Sequence, residues 1–172
     1  MDINIKQISE NEYYNSKAYD IVYNGVGETY AKNIIPTDIS ESILLVAKLD
    51  KEIIGFVCGY NSSEYTDMIN INENINSTLK MIAVEPEYRG YGIGTKLTKE
   101  CLKYLSQPTI SRAWRRSEEP DSSLIFKKLN FDLISSIENT WLKESKQEQD
   151  DNFCPDCGKI CYCDSEIYVL NN

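Results

Sequence analysis

The chain has 172 residues, 41% of them hydrophobic and 26% charged, which suits one domain of ordinary size and excludes a wholly disordered chain. It carries 18 basic and 27 acidic residues, a net charge of −9, and no histidine. That balance excludes a bulk electrostatic grip on nucleic acid or an acidic membrane surface, favours a cationic partner, and removes every histidine base and histidine metal ligand. No apolar run reaches the roughly 18 residues of a membrane-spanning helix. Met1 to Glu10 does not read as a secretory signal, so a cytoplasmic protein is expected.

In chain order, Asp2 to Ser9 alternates, with Ile3 and Ile5 on one face, and predicts a first strand. Asn11 to Lys32 has Tyr14, Ala18, Ile21 and Val22 at helical spacing. It predicts a helix broken at Gly25 and Gly27, then a second short helix ending before Pro36. Ser42 to Leu49 and Glu52 to Tyr60 are apolar runs joined by Asp50-Lys51, a hairpin pattern. Asn61 to Asn76 reads as loop, strand extension or both. Thr78 to Val84 predicts a buried strand closed by Pro86. Ile93, Leu97, Cys101 and Leu105 mark one face of a helix over Ile93 to Leu105. An extended run from Thr109 to Trp114, a short helix over Ser122 to Leu129 and a strand over Phe131 to Ile137 follow. A charged connector, Lys143 to Asp151, leads to a cysteine cluster and a last strand, Glu166 to Leu170. This order predicts an α/β or α+β fold over residues 1–172 as one domain, with the cysteine knuckle at 152–164 inserted before the last strand.

Between the Thr78–Val84 strand and the next helix lies Arg89-Gly90-Tyr91-Gly92-Ile93-Gly94-Thr95. Alternate glycines let the backbone approach a ligand. Free N–H groups of the turn and the first helical turn, aided by the helix dipole, favour an anion such as phosphate. The plain alternative is a glycine-rich connection with no ligand. Gly94-Thr95-Lys96 has the wrong order for a P-loop, and the residue about 20 positions on, Trp114, is no dinucleotide-fold acid.

Ile82-Ala83-Val84-Glu85-Pro86-Glu87-Tyr88 followed by that turn resembles the acetyl-coenzyme A motif of the GNAT acetyltransferases. Leu124 to Phe131 resembles the family's second signature, with Asn130 in place of a glycine. The resemblance spans nearly the whole chain. It implies a mixed, mostly antiparallel central sheet flanked by helices and splayed between the fourth and fifth strands. It implies acetyl-CoA as co-substrate. The backbone of Ile82, Ala83 and Val84 would pair with the pantetheine arm. Arg89, Gly90, Tyr91, Gly92, Ile93, Gly94 and Thr95 would hold the pyrophosphate. The acceptor would be a primary amine, and the acidic composition favours a cationic one: a polyamine, an aminoglycoside-like drug, a lysine or an N-terminus.

The chain departs from the family at chemical positions. Phe126 stands where the family often has an acidic tyrosine. The Thr78–Val84 strand has no carboxylate, the fifth-strand position falls near Trp114, and Glu119 replaces a cofactor-contacting asparagine. The general acid and base are therefore unassigned. Tyr88, Tyr91 and Glu119 are the candidates, although tyrosines beside such a turn more often pack. Glu118, Glu119 and Asp121 either line an amine pocket or cap a helix. These departures admit a second function, a non-catalytic acyl-CoA sensor whose cysteine knuckle is an interaction surface. Arg112, Trp114 and Arg116 share one strand face, where arginines pair with acids or approach cofactor phosphates. Monomer and homodimer are equally open.

Of six cysteines, Cys58 and Cys101 sit in apolar patterns and read as buried small hydrophobes. Cys154, Cys157, Cys161 and Cys163 fall within ten residues. Cys-Pro-x-Cys-Gly turns two thiolates toward one point, and the later pair completes a closed tetrahedral set. Zinc is the default ion, and an iron–sulfur cluster the alternative. Disulfides are the competing reading, disfavoured in a reducing compartment. A closed site is structural rather than catalytic. A similar cysteine knuckle before the final strand marks a subset of bacterial GNAT proteins.

Overall fold

The structure, a computed structural model, describes residues 1–36, 41–69, 74–116, 121–146, 154, 157–158 and 160–171. Strands β1 (Ile3–Gln7), β2 (Ser42–Leu49), β3 (Glu52–Tyr60), β4 (Ser77–Val84), β5 (Thr109–Arg115), β6 (Asp132–Ile137) and β7 (Asp164–Leu170) form one sheet in the order β1-β2-β3-β4-β5-β7-β6. Every neighbouring pair is antiparallel except β4–β5, which is parallel. Helices α1 (Glu10–Tyr14), α2 (Lys17–Val26) and α3 (Glu28–Lys32) precede β2, α4 (Ile93–Cys101) links β4 to β5, and α5 (Ser123–Lys128) and α6 (Leu142–Ser145) flank β6. Among the described residues no helix is long and apolar enough to cross a membrane.

The alternation along β2 explains the layering, since successive side chains leave opposite faces of a strand. Ile43, Leu45 and Ala47 pack with Ile93, Leu97 and Cys101 of α4. Leu44 and Val46 pack with Tyr13, Ala18 and Val22 of the N-terminal helices. Both faces of the sheet are therefore covered, which is why β2 reads as a continuous apolar run.

Several boundaries differ from the sequence reading. Ser9 and Glu12 form a capping box, and Ser16 caps α2, so the first helical stretch divides at Asn15–Ser16 as well. The second break falls at Gly27, with φ 92°, while Gly25 continues α2. The α4 helix ends at Cys101, and Leu105 keeps its buried place from the turn that follows. The Asn61–Asn76 segment contains a 3₁₀ turn at Thr66–Met68 and no added strand among its described residues. A short helix, α6, begins the charged connector. The last strand starts two residues early because Ser165 pairs with Trp114 on one side and Ile137 on the other.

Asn130 illustrates how a family glycine is replaced. Its φ is 61°, in the left-handed region that Asn tolerates better than most residues. The Asn130 N–H donates to the Lys127 carbonyl at 3.3 Å and the Phe131 N–H to the Phe126 carbonyl at 3.0 Å. These two bonds close the end of α5 as a Schellman cap.

Candidate active site

Pairing between β4 and β5 covers only Ser77–Thr109, Thr78–Ile110 and Leu79–Ser111. Beyond Leu79 and Ser111 the strands diverge, and a cavity of about 600 Å³ opens between them. A register shift between Cys58 and Gly59 accompanies this point: Met81 faces Cys58 and Leu79 faces Gly59, so Lys80 is the extra residue of a bulge. Lys80, Met81, Ile82, Ala83 and Val84 all line the cavity.

One lobe lies against the N-terminus of α4. Gly90 and Gly92 have φ values of 82° and 79°. A Cβ on either would meet nothing within 4 Å, and both line the cavity. Gly92 is the N-cap of α4 and no side chain caps that end, so first-turn N–H groups are left for another acceptor. The Nε–H of Arg89 donates to the Val84 carbonyl at 3.1 Å, bracing the turn against the end of β4. Gly94 has an additional reason to be glycine: a Cβ there would lie 2.7 Å from Cδ1 of Ile125, so it sets the close packing of α4 on α5. Arg89, Gly90, Gly92, Ile93, Gly94 and Thr95 line the cavity, whereas Tyr91 does not.

The other lobe is aromatic. Tyr30, Tyr65, Trp114 and Trp141 line it, with Arg112 among them. The Arg112 guanidinium lies 4.6 Å from the Tyr65 ring centre and 4.9 Å from that of Trp141. The guanidinium of Arg116 lies 4.9 Å from the Trp114 ring. The Trp141 indole N–H donates to the Tyr30 hydroxyl at 2.6 Å. Arg112 and Arg116 on this face thus meet rings, and Arg115 on the opposite face pairs with acids, Asp121 at 2.7 Å and Glu166 at 3.6 Å. Of this lobe the sequence reading named Arg112, Trp114, Arg116, Cys154 and Cys161, but not Tyr30, Tyr65, Lys80 or Trp141. Tyr65 lay in a segment left undecided, and Lys80 acquires its position from the bulge, which periodicity does not reveal.

The candidate acids and bases separate by geometry. Tyr88 is half-buried and lines the cavity. Tyr91 is 67% exposed and outside it, because it stands between two positive-φ glycines on the outer side of the turn. Glu118 and Glu119 lie outside the described residues. Asp121 lines the cavity, accepts from the Ser123 N–H at 2.9 Å at the start of α5 and is held by Arg115. Phe126 is 1% exposed and packs on Phe131 and Tyr168. Glu64, unnoticed in the sequence, accepts from Lys80 at 2.5 Å and from the Tyr60 hydroxyl. Burial raises its pKa, but those hydrogen bonds outweigh burial and hold it below the ordinary 4.5. A carboxylate so stabilised is a weak base.

Cys58 and Cys101 are fully buried, and desolvation pushes the Cys101 thiol up to about 12 and Cys58 higher still. Such thiols stay protonated and inert. The four C-terminal cysteines come together, with all Sγ atoms within 4.8 Å of one another. Cys163 Sγ lies 3.7 Å from that of Cys154 and 3.4 Å from that of Cys157. Tetrahedral zinc with Zn–S bonds of about 2.3 Å sets its sulfurs about 3.8 Å apart. Cys154 and Gly158 exchange both backbone hydrogen bonds, at 3.0 and 2.8 Å, with Gly158 at φ 80°. The Cys157 N–H points at Cys154 Sγ from 3.3 Å. The donor set and spacing fit zinc. No cysteine is in a disulfide. Cys154 and Cys161 also line the aromatic lobe, so this cluster is part of the cavity wall.

The sequence model of the acetyltransferase (GNAT) family matches residues 9–131. The chain belongs to the GNAT family and is by that membership an acetyltransferase; β6, β7 and the cysteine cluster lie beyond the matched segment. No curated protein matches the chain in sequence. Among the solved structures that share the fold are three with a bound ligand. A GNAT acetyltransferase from Elizabethkingia anophelis with acetyl-CoA bound has a TM-score of 0.65 at 18% identity, over 99% of this chain and 98% of that one. Arabidopsis thaliana NAA60 in complex with a bisubstrate analogue has a TM-score of 0.64 at 16% identity, over 98% and 97%. A Bacillus subtilis acetyltransferase in complex with CoA has a TM-score of 0.65 at 15% identity, over 99% and 99%.

Proposed function

We propose that this chain transfers an acetyl group from acetyl-CoA to an amine. The observation that carries this reading is the continuity of the cavity from the uncapped N-terminus of α4, past the unpaired edge of β4, into the aromatic lobe. The first lobe suits the pyrophosphate, since a helix N-terminus with close-approach glycines favours an anion. Ile82, Ala83 and Val84 offer backbone to the pantetheine arm, in the manner of strand addition. In the second lobe the neutral amine attacks the thioester carbon. A tetrahedral oxyanion forms beside backbone N–H groups of β4, which stabilise its charge. The C–S bond then breaks, the sulfur leaves with the electron pair, and the proton lost by nitrogen ends on the thiol. Tyr88 is our candidate for that delivery within the cavity.

Cys154, Cys157, Cys161 and Cys163 would hold one zinc ion, whose role in a closed thiolate set is to fix the chain. Reduced cysteines of this kind belong in a reducing compartment, consistent with a cytoplasmic protein. Two measurements test the reading. Calorimetric titration with acetyl-CoA should show one site per chain, and thiol release should follow on adding an acceptor amine. Absence of acetyl-CoA binding by the folded protein would sink it.

A further inference from the structure

We infer that the acceptor is an amine that also bears a carboxylate, a free amino acid, and that Arg112 binds that carboxylate. This rests on the acetyl-transfer reading and names the acceptor class for the same site. The whole-chain charge of −9 points to a cationic acceptor, but the charge lining the aromatic lobe does not follow it. Lys80, Arg112 and Arg116 face that lobe. Among the described residues, Glu64 is paired with Lys80 and Asp121 with Arg115.

Arg112 stands apart from the other two. Among the described residues it has no carboxylate within ion-pair distance, and its one hydrogen-bond contact is the Met68 sulfur at 3.9 Å. A half-buried guanidinium without an anion is costly. The protein holds it there over the rings of Tyr65 and Trp141. Ring contacts do not use up N–H donors: apart from the one at the Met68 sulfur, the guanidinium donors keep their fork for a carboxylate. The same ring contacts argue against a cationic acceptor. An aromatic lobe attracts cations through its ring faces, and here Arg112 and Arg116 already occupy faces of Tyr65, Trp141 and Trp114. A polyamine would meet guanidinium where it seeks a ring. Arg112 also follows Ser111, the last β5 residue paired to β4. An acid held on its edge therefore sits where the strands part, beside the β4 backbone that faces the thioester.

The test is the initial rate of thiol release from acetyl-CoA by the wild-type protein. Each amino acid of a panel is compared with its amide and its decarboxylated amine, and spermidine is included. At least one amino acid is expected to exceed both of its analogues and spermidine by about 100-fold or more in kcat/KM, the discrimination of a site built around a polar group. Arg112→Met should raise the acceptor KM by a similar factor and erase the preference, with acetyl-CoA affinity by calorimetry unchanged. Arg112→Lys should fall between, since it keeps charge and loses the fork. Equal or better turnover of spermidine or of the amides overturns the inference and leaves acetyl transfer standing. So does failure of every amino acid while acetyl-CoA binds, or an Arg112→Met variant that loses acetyl-CoA affinity alone. A wild-type protein that binds no acetyl-CoA overturns the acetyl-transfer reading, and this inference with it.

Discussion

Gly92 joins backbone geometry to ligand space in one residue. Its φ of 79° costs a side-chain-bearing residue about 1–2 kcal/mol. Its missing Cβ leaves open the cavity beside the uncapped α4 terminus. Gly92→Val should therefore lower the melting temperature by a few degrees and abolish acetyl-CoA binding; wild-type affinity in a calorimetric titration of that variant rejects the phosphate assignment. Tyr88→Phe should cost about 10²–10⁴ in rate if the phenol delivers the proton, and full turnover removes Tyr88 from that role. Glu64 supplies a pH signature. Its pKa is held below the ordinary 4.5 in the fold, so its stabilising contribution is complete above about 4.5 and is lost as pH falls through the lowered folded value. Thermal melts of Glu64→Gln against wild type should differ most at neutral pH and converge in acid. A constant offset down to strongly acidic pH rules out the ionised Glu64–Lys80 pair as the cause.

At the scale of elements, the cysteine knuckle is tied to the wall of the aromatic lobe. Thr140 N–H donates to the Cys163 carbonyl at 3.0 Å, and Cys161 N–H to the Ser145 hydroxyl at 3.0 Å. Between those anchors lies Trp141, one of the rings under Arg112. Elemental analysis of protein prepared without chelator should find one zinc per chain. Removing it, or Cys157→Ser, should lower thermal stability, speed amide exchange in β7 and raise the acceptor KM more than the acetyl-CoA KM. Stoichiometric metal with an unchanged acceptor KM after its removal would separate the knuckle from the lobe. The absence of metal, with disulfides found under non-reducing conditions, would reject both the metal and the reducing compartment. The bulge at Lys80 is the other element-scale device: it turns a side chain out of a buried strand into the cavity.

Across the whole molecule, net charge and site charge diverge. An acidic surface keeps a protein soluble and says little about a cavity whose walls are set by a few strands. The cavity also runs between the two halves of the sheet, where only three β4–β5 residue pairs hold them together. A ligand spanning that gap binds the folded chain and not the unfolded one. Saturation with acetyl-CoA at about 100 times its Kd should therefore add about 2.7 kcal/mol of stability. For a chain of this size that is a rise in melting temperature of roughly 5–10 °C. No rise at saturating ligand would contradict binding at this gap.

Elements whose cause is local were legible in the residues alone. The Asp50-Lys51 hairpin, the glycine turn and the cysteine spacing are written in neighbouring residues, and β2 and β3 begin and end where their apolar runs do. The family signature is local in the same sense, which is why the splayed sheet followed from it. Features that depend on contacts distant in the chain emerged with the fold. Tyr65, Arg112 and Trp141 are far apart in sequence and meet only because the strands diverge after Leu79 and Ser111. Tyr91 lies outside the cavity while Asp121 lines it, through backbone direction that no periodicity encodes. Charge followed the same rule: composition sums the whole surface, whereas a ligand meets the few side chains that folding brings to one place.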